Sequence, residues 1–176
     1  MSELTIVEGL KRLKLLEKRM TRNSEEIRRY SSLLSNEKPF FDTEEKQKRE
    51  VKSLIQSNID LETEYCKLKA MIDYTNLATK VVIEDEERTI HGWLTVLRKT
   101  GNFLAETYKS MNTHEASMRQ QRFRTQEGTT PTIVRLYDEN DKRNGQRKWE
   151  DLTKGKIIEG RLEVINATTT LVEPPQ

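Results

Sequence analysis

Residues 6–34 read IVEGLKRLKLLEKRMTRNSEEIRRYSSLL. Ile6, Leu13, Met20, Ile27 and Leu34 return every seventh residue, with Gly9, Leu16, Asn23 and Tyr30 at the stations between them. Alternation by three and four is the seam of a helix that packs lengthwise on a neighbour. Lys11, Arg12, Lys18 and Arg19 lie off that seam and solvate the outer face. The spacing predicts a helix from Ser2 to Ser35. Gly9 costs about 1 kcal/mol of helix propensity against Ala, a cost that a close helix crossing would explain.

The pattern breaks at SNEKPFFDTEE, residues 35–45. Pro39 cannot continue a helix, and Asp42 or Thr43 followed by acidic residues is a good N-cap. A second helix is predicted from Thr43 to Asn76, with Val51, Leu54, Asn58, Leu61, Tyr65, Leu68, Ile72 and Thr75 as its seam. Two long helices joined by a short connection imply an antiparallel hairpin. Asn58 interrupts the second seam. It reads either as a polar contact that sets register or oligomer state, or as a loose, hydrated stretch.

Beyond the hairpin, Val81 to Ile83 favour a strand and the acidic run EDEE behind them favours a solvated turn. That run lacks the alternation and the glycine of a calcium loop. Thr89 caps a predicted third helix to Met111, whose face carries Ile90, Leu94, Leu97, Gly101, Leu104, Tyr108 and Met111, widened by Trp93, Val96 and Phe103. This is the predicted packing centre. Residues 112–131 read as the least structured stretch. Arg119, Arg122 and Arg124 around Phe123 suit either a nucleic-acid backbone contact or a solvated loop over an acidic surface. Thr132 to Tyr137 alternates as a strand, Asn144-Gly145 signals a turn, and a last helix is predicted from Arg147 to Asn166.

Two helix endings look alike: NLATKVVIE from Asn76 and INATTTLVE from Ile165. Asn tolerates the left-handed conformation that ends a helix, and β-branched residues resist its continuation. Both read as helix stop followed by strand, so with residues 132–137 they predict a small three-stranded sheet. The fold expected is mainly α: a long antiparallel hairpin plus two further helices and a small accessory sheet or hairpin. It forms a single elongated domain over 1–176, with the hairpin in 1–80 and a strand–helix–loop–strand–helix portion in 81–176.

Composition agrees with long helices carrying narrow apolar stripes. Charged and hydrophobic residues each make up 34% of the 176 residues, and aromatics only 6%. The net charge of +2 gives no global steering toward nucleic acid or anionic lipid. Cys66, the one cysteine, implies a reducing, cytoplasmic setting, and no stretch has the apolar run of a signal peptide or a membrane span.

The order of these features resembles the septicolysin-like proteins of bacteria and their phages. The matching residues are Asn76, Thr79, Thr89, Ile90, Ile133, Val134, Arg135, Asn166, Thr168, Thr169 and Leu171. Ala167 stands where the family usually has Trp, and Gly155 and Gly160 interrupt a helix the family keeps regular. The resemblance implies an α-rich oligomer with no catalytic residues to carry over. The family name implies a cytolysin, yet the chain shows no hairpin of alternating lipid-facing residues.

No phosphate loop, dinucleotide fingerprint, H-E-x-x-H or C-x-x-C occurs. His91 and His114 are not spaced as helical metal partners, and Cys66, mid-helix, reads as an inert thiol. No catalytic, cofactor-binding or metal-binding residue is expected. The function expected is non-enzymatic self-association with an assembly or binding role, in the cytoplasm or as a phage virion component. Its partners would be copies of itself or other assembly proteins, in preference to nucleic acid or membrane. A cytolysin-like membrane activity and nucleic-acid association are the alternatives.

Overall fold

The structure, a computed structural model, describes residues 4–123 and 131–175. It is mainly helical with one two-stranded antiparallel sheet. The chain divides into two compact units, residues 1–79 with 164–176 and residues 80–163.

In the first unit, helix α1 (Ile6–Tyr30) packs along helix α2 (Glu44–Ala78). At 1.5 Å per residue these run about 38 and about 52 Å. Pairing between them descends along α2 as it climbs α1: Arg12 with Glu64, Asn23 with Asn58, and the Tyr30 carbonyl with Gln47. That order makes the hairpin antiparallel. Thr5 caps α1 in a reciprocal capping box with Glu8, and Thr43 caps α2 by accepting from the Lys46 amide at 3.2 Å. The core joins Leu13 and Leu16 to Leu68 and Ile72, with Leu4, Leu61, Tyr65 and Leu171 packed around them.

Helix α1 stops at Tyr30, short of the predicted Ser35. Buried Gln47 explains the stop: its Nε2 donates to the Tyr30 carbonyl at 2.8 Å, and its Oε1 accepts from the Phe40 amide at 2.9 Å. Tyr30 also meets Phe41 edge-on at 4.8 Å, while Arg29 lies over the rings of Tyr30 and Phe40. The connection is thus built around the end of α1. Leu34, predicted on the seam, falls in this connection and is 64% exposed.

The second unit opens with strands β1 (Lys80–Ile83) and β2 (Glu86–Thr89), paired so that Lys80 faces Thr89 and Ile83 faces Glu86. Glu84 and Asp85 both take positive φ, 51° and 64°, the geometry of a tight two-residue hairpin turn. Val81 and Ile83 are buried and Val82 is exposed, as the pleat requires. Trp93 is wholly buried and donates from Nε1 to the Val81 carbonyl at 2.9 Å.

Helix α3 (Ile90–Thr95), a π-helical turn (Val96–Thr100) and helix α4 (Gly101–Lys109) follow without a break. Together they make the predicted third helix, capped by Thr89, whose Oγ1 accepts from the Gly92 amide at 3.0 Å. Helices α5 (His114–Phe123), α6 (Glu139–Thr153) and α7 (Ile157–Thr168) complete the order, with α6 packed on α4.

Three expectations are corrected. Residues 132–137 form no strand, and Leu136 is 93% exposed: an alternating sequence has no partner strand here. The three-stranded sheet is absent among the described residues. Residues 80–83 pair with 86–89, and the C-terminal ending contributes a single bridge, Thr170 to Thr5. The last predicted helix is two helices, separated where Lys156 takes φ 62°.

The structure differs at two further points. Asn144-Gly145 lies inside α6 instead of turning, and the glycine there makes room for α4, since a Cβ built at Gly145 would run into the Tyr108 ring. Part of the stretch predicted to be unstructured is α5.

Candidate functional site

The predicted seam residues divide by depth. Ile6, Leu13, Leu54 and Leu68 are buried, whereas Met20, Ile27 and Leu61 are half-buried. Gly9 is buried at a close approach: a Cβ there would stand 2.9 Å from Leu171 Cδ1 and 3.2 Å from Ile72 Cδ1. Asn58 is a built contact. Asn23 Nδ2 donates to its Oδ1 at 3.0 Å, and its own Nδ2 donates to the Met20 carbonyl and to Ser24 Oγ, both at 3.3 Å.

The C-terminal ending belongs to the first unit, where the tail is tied to both long helices, whereas the ending that begins at Asn76 crosses into the second unit at Lys80. The Ile6 amide donates to the Thr169 carbonyl at 3.0 Å, and Leu171 to the Leu4 carbonyl at 2.8 Å. The Val172 amide donates to Thr75 Oγ1 at 2.9 Å, and Thr75 is wholly buried. Thr79 ends α2, and its amide donates to the Thr75 carbonyl. Thr168 ends α7 with its hydroxyl on the Val164 carbonyl. Asn76 and Asn166 occupy equivalent places, and each keeps a buried Oδ1 that accepts no hydrogen bond among the described residues.

Arg135 belongs to the second unit, exposed and 4.0 Å from Glu139. Arg119 and Arg122 are exposed on α5, and Arg124 lies outside the described residues.

One surface feature of the hairpin escaped the sequence reading. Ile55, Ile59, Cys66, Ala70 and Leu77 of α2 are all exposed, the three large side chains at 45, 54 and 55%. At about 100° per residue they fall within an arc of about 60°, roughly a third of a turn from the seam that meets α1. Helix α2 therefore carries two apolar stripes, one covered by α1 and one uncovered. The signal was present as a second helical repeat, but the stronger seam beside it drew the reading.

The uncovered stripe has defined edges. Cys66 Sγ donates to Glu62 Oε1 at 3.0 Å, and Lys69 pairs with Asp73. Glu62 raises the Cys66 thiol above its ordinary value, first by accepting its hydrogen bond, with partial burial and the carboxylate charge adding to it. The thiol therefore stays protonated at neutral pH and is a poor nucleophile.

A hollow of about 650 Å³ beside the α1–α2 connection is lined by Phe40, Asp42, Lys46, Arg49 and Glu50 among others. Among the described residues no group of three or more His, Cys, Asp or Glu is placed to hold a metal ion. None of their helices is long and apolar enough to cross a membrane. Compared with known proteins, the chain matches no family model, no curated protein and no solved structure.

Proposed function

We propose that this chain is a non-enzymatic, self-associating helical protein of the cytoplasm, with an assembly or binding role exercised through the uncovered face of α2. The observation that carries the reading is the second apolar stripe: Ile55, Ile59 and Leu77 stand in solvent on a helix whose other face is already packed. Scattered surface leucines need no explanation, but several on one narrow arc of one long helix mark an interaction surface. Cys66 on the same stripe is held as a thiol by Glu62, which suits a reducing compartment.

Light scattering on purified protein tests the reading. Wild type should give a mass above that of the single chain, and Ile59→Glu should return it to the monomer without loss of helical content. A wild-type mass of one chain, or an Ile59→Glu mass unchanged from an oligomeric wild type, would overturn it.

A further inference from the structure

The net charge of +2 conceals an asymmetry. Helix α1 carries eight Lys and Arg against four Glu, a net +4, so the rest of the chain nets −2. The excess is concentrated between Gly9 and Ser24, where Lys11, Arg12, Lys14, Lys18, Arg19 and Arg22 stand against Glu17 alone. Arg12 is taken by Glu64 of α2, and Glu17 accepts from the Tyr65 hydroxyl at 2.9 Å. Lys11, Lys14, Lys18 and Arg19 are exposed and make no ion pair among the described residues.

These cations form a ridge. At about 100° per residue Lys11, Lys18 and Arg22 fall within an arc of about 40°, on the side of α1 opposite the buried Gly9, Leu13 and Leu16. Lys14 and Arg19 flank that arc, one on each side, and the ridge runs about 17 Å along the helix. At its C-terminal end it meets a hollow of about 260 Å³ lined by Arg19, Arg22, Asn23, Glu26, Ser57 and Leu61. Glu26 accepts from Arg22 Nε there, at 3.2 Å. Ser57 Oγ accepts from Asn23 Nδ2 at 3.1 Å, and its own proton has no acceptor among the described residues. We infer that this ridge binds the phosphate backbone of duplex nucleic acid, with one phosphate seated in the hollow between Arg19, Arg22 and Ser57. This goes beyond the proposed self-association and does not rest on it.

Charge and shape select that occupant. A straight row of exposed Lys and Arg matches a rod of phosphodiesters, and Arg offers the forked donors that phosphate oxygens accept. An anionic bilayer fits less well. A helix lying on a membrane needs a free apolar face, whereas that of α1 is taken by α2, and its exposed Leu10 and Leu15 stand about 140° apart. A single strand would need rings on which its bases stack. The one aromatic residue of α1, Tyr30, lies beyond the ridge against Phe41. Binding through phosphates alone carries no sequence preference.

Fluorescence anisotropy of a short labelled DNA duplex, titrated with the full chain, tests the inference. Five phosphate contacts give a log–log salt slope of about −4.5, a loss of about 500-fold in affinity between about 50 and about 200 mM salt. Lys11→Ala/Lys18→Ala should reduce the slope to about −2.7 and leave the melting temperature unchanged, since both side chains are exposed. Lys46→Ala/Lys48→Ala removes two exposed cations already paired with Asp42 and Glu45, and should leave the slope as it is. Duplexes of unrelated sequence should bind alike.

No binding at about 50 mM salt, or a slope that Lys11→Ala/Lys18→Ala leaves unchanged, would overturn the inference. An equal fall in both double variants would make the attraction diffuse and remove the ridge as its source. Tighter binding to a single strand of the same sequence would contradict the duplex. Binding to phosphatidylserine vesicles without binding to the duplex would assign the ridge to a membrane surface instead.

Discussion

Asn58 occupies a seam position where an apolar side chain would pack better, and the structure gives it Asn23 as a partner across the hairpin. A polar pair at one level of a helix seam fixes register, because sliding either helix separates the two half-buried amides. Asn58→Leu should therefore cost about 1 kcal/mol, since Asn23 Nδ2 keeps only its bond to Ser57 Oγ while the Met20 carbonyl and Ser24 hydroxyl lose the Asn58 donor. Asn23→Leu/Asn58→Leu together should recover most of that loss in urea denaturation. An additive result would show that the two amides do not act as a pair.

Thr5 and Glu8 make a second residue-scale test. The Thr5 amide and hydroxyl both donate to the Glu8 carboxylate, holding it below the usual carboxylate range, with the backbone hydrogen bond the largest cause. A carboxyl lowered in the folded state contributes stability above its unfolded value and loses it as pH falls through the lowered one. Glu8→Gln should thus destabilise the hairpin at neutral pH, and the difference should shrink as pH falls below about 4.3. Melting temperatures of the two proteins across that range supply the check. A penalty independent of pH would place the effect outside the carboxylate.

At the scale of elements, the seam residues rank by burial and not by heptad position. Leu68 sits in the core cluster, so Leu68→Ala should cost about 2–5 kcal/mol. Leu34, on the same predicted seam series, is exposed in the connection, and Leu34→Ala should change stability by no more than about 0.5 kcal/mol. Gly145→Ala in α6 should lower the melting temperature although Ala is the better helix former, because the methyl meets the Tyr108 ring. Gly145→Ala/Tyr108→Ala should melt higher than Gly145→Ala alone if that ring is the obstacle.

These elements also show what was legible. The hairpin could be read because a heptad seam repeated over many turns has few other meanings, and Thr43 and Thr89 announced their helices as caps. The stop at Tyr30 was not legible. It depends on Gln47, seventeen residues away along the chain, folding back onto the end of α1. The partner of Val81–Ile83 was hidden because Glu84-Asp85 replaces the Asn-Gly usual in such a turn, and the facing strand is EERT. Residues 132–137 alternate convincingly, but alternation describes a strand only when another strand accepts its hydrogen bonds. The candidate site lay in plain sequence as Ile55, Ile59 and Leu77, yet exposure decides its meaning, and exposure comes only from knowing which stripe α1 covers.

For the molecule as a whole, the hairpin needs the end of the chain. Leu171 packs on the core cluster, Thr169 and Leu171 bind the start of α1, and Val172 satisfies the buried Thr75 hydroxyl. Deleting residues 169–176 should lower the melting temperature of the intact protein, and an unchanged melting curve would show the tail to be dispensable. The resemblance between NLATKVVIE and INATTTLVE then acquires a physical content: two helices of similar ending bring Asn76 and Asn166 into one unit, with the tail leaving the second to meet the last turns of the first.

The central proposal is that the uncovered stripe of α2 is an interface between copies. Sedimentation velocity of the wild-type chain, from submicromolar to high micromolar concentration, measures that directly. A sedimentation coefficient that rises with concentration toward a species larger than the single chain, and fails to rise for Ile59→Glu, is the predicted result. A single monomeric boundary across the whole range would contradict it.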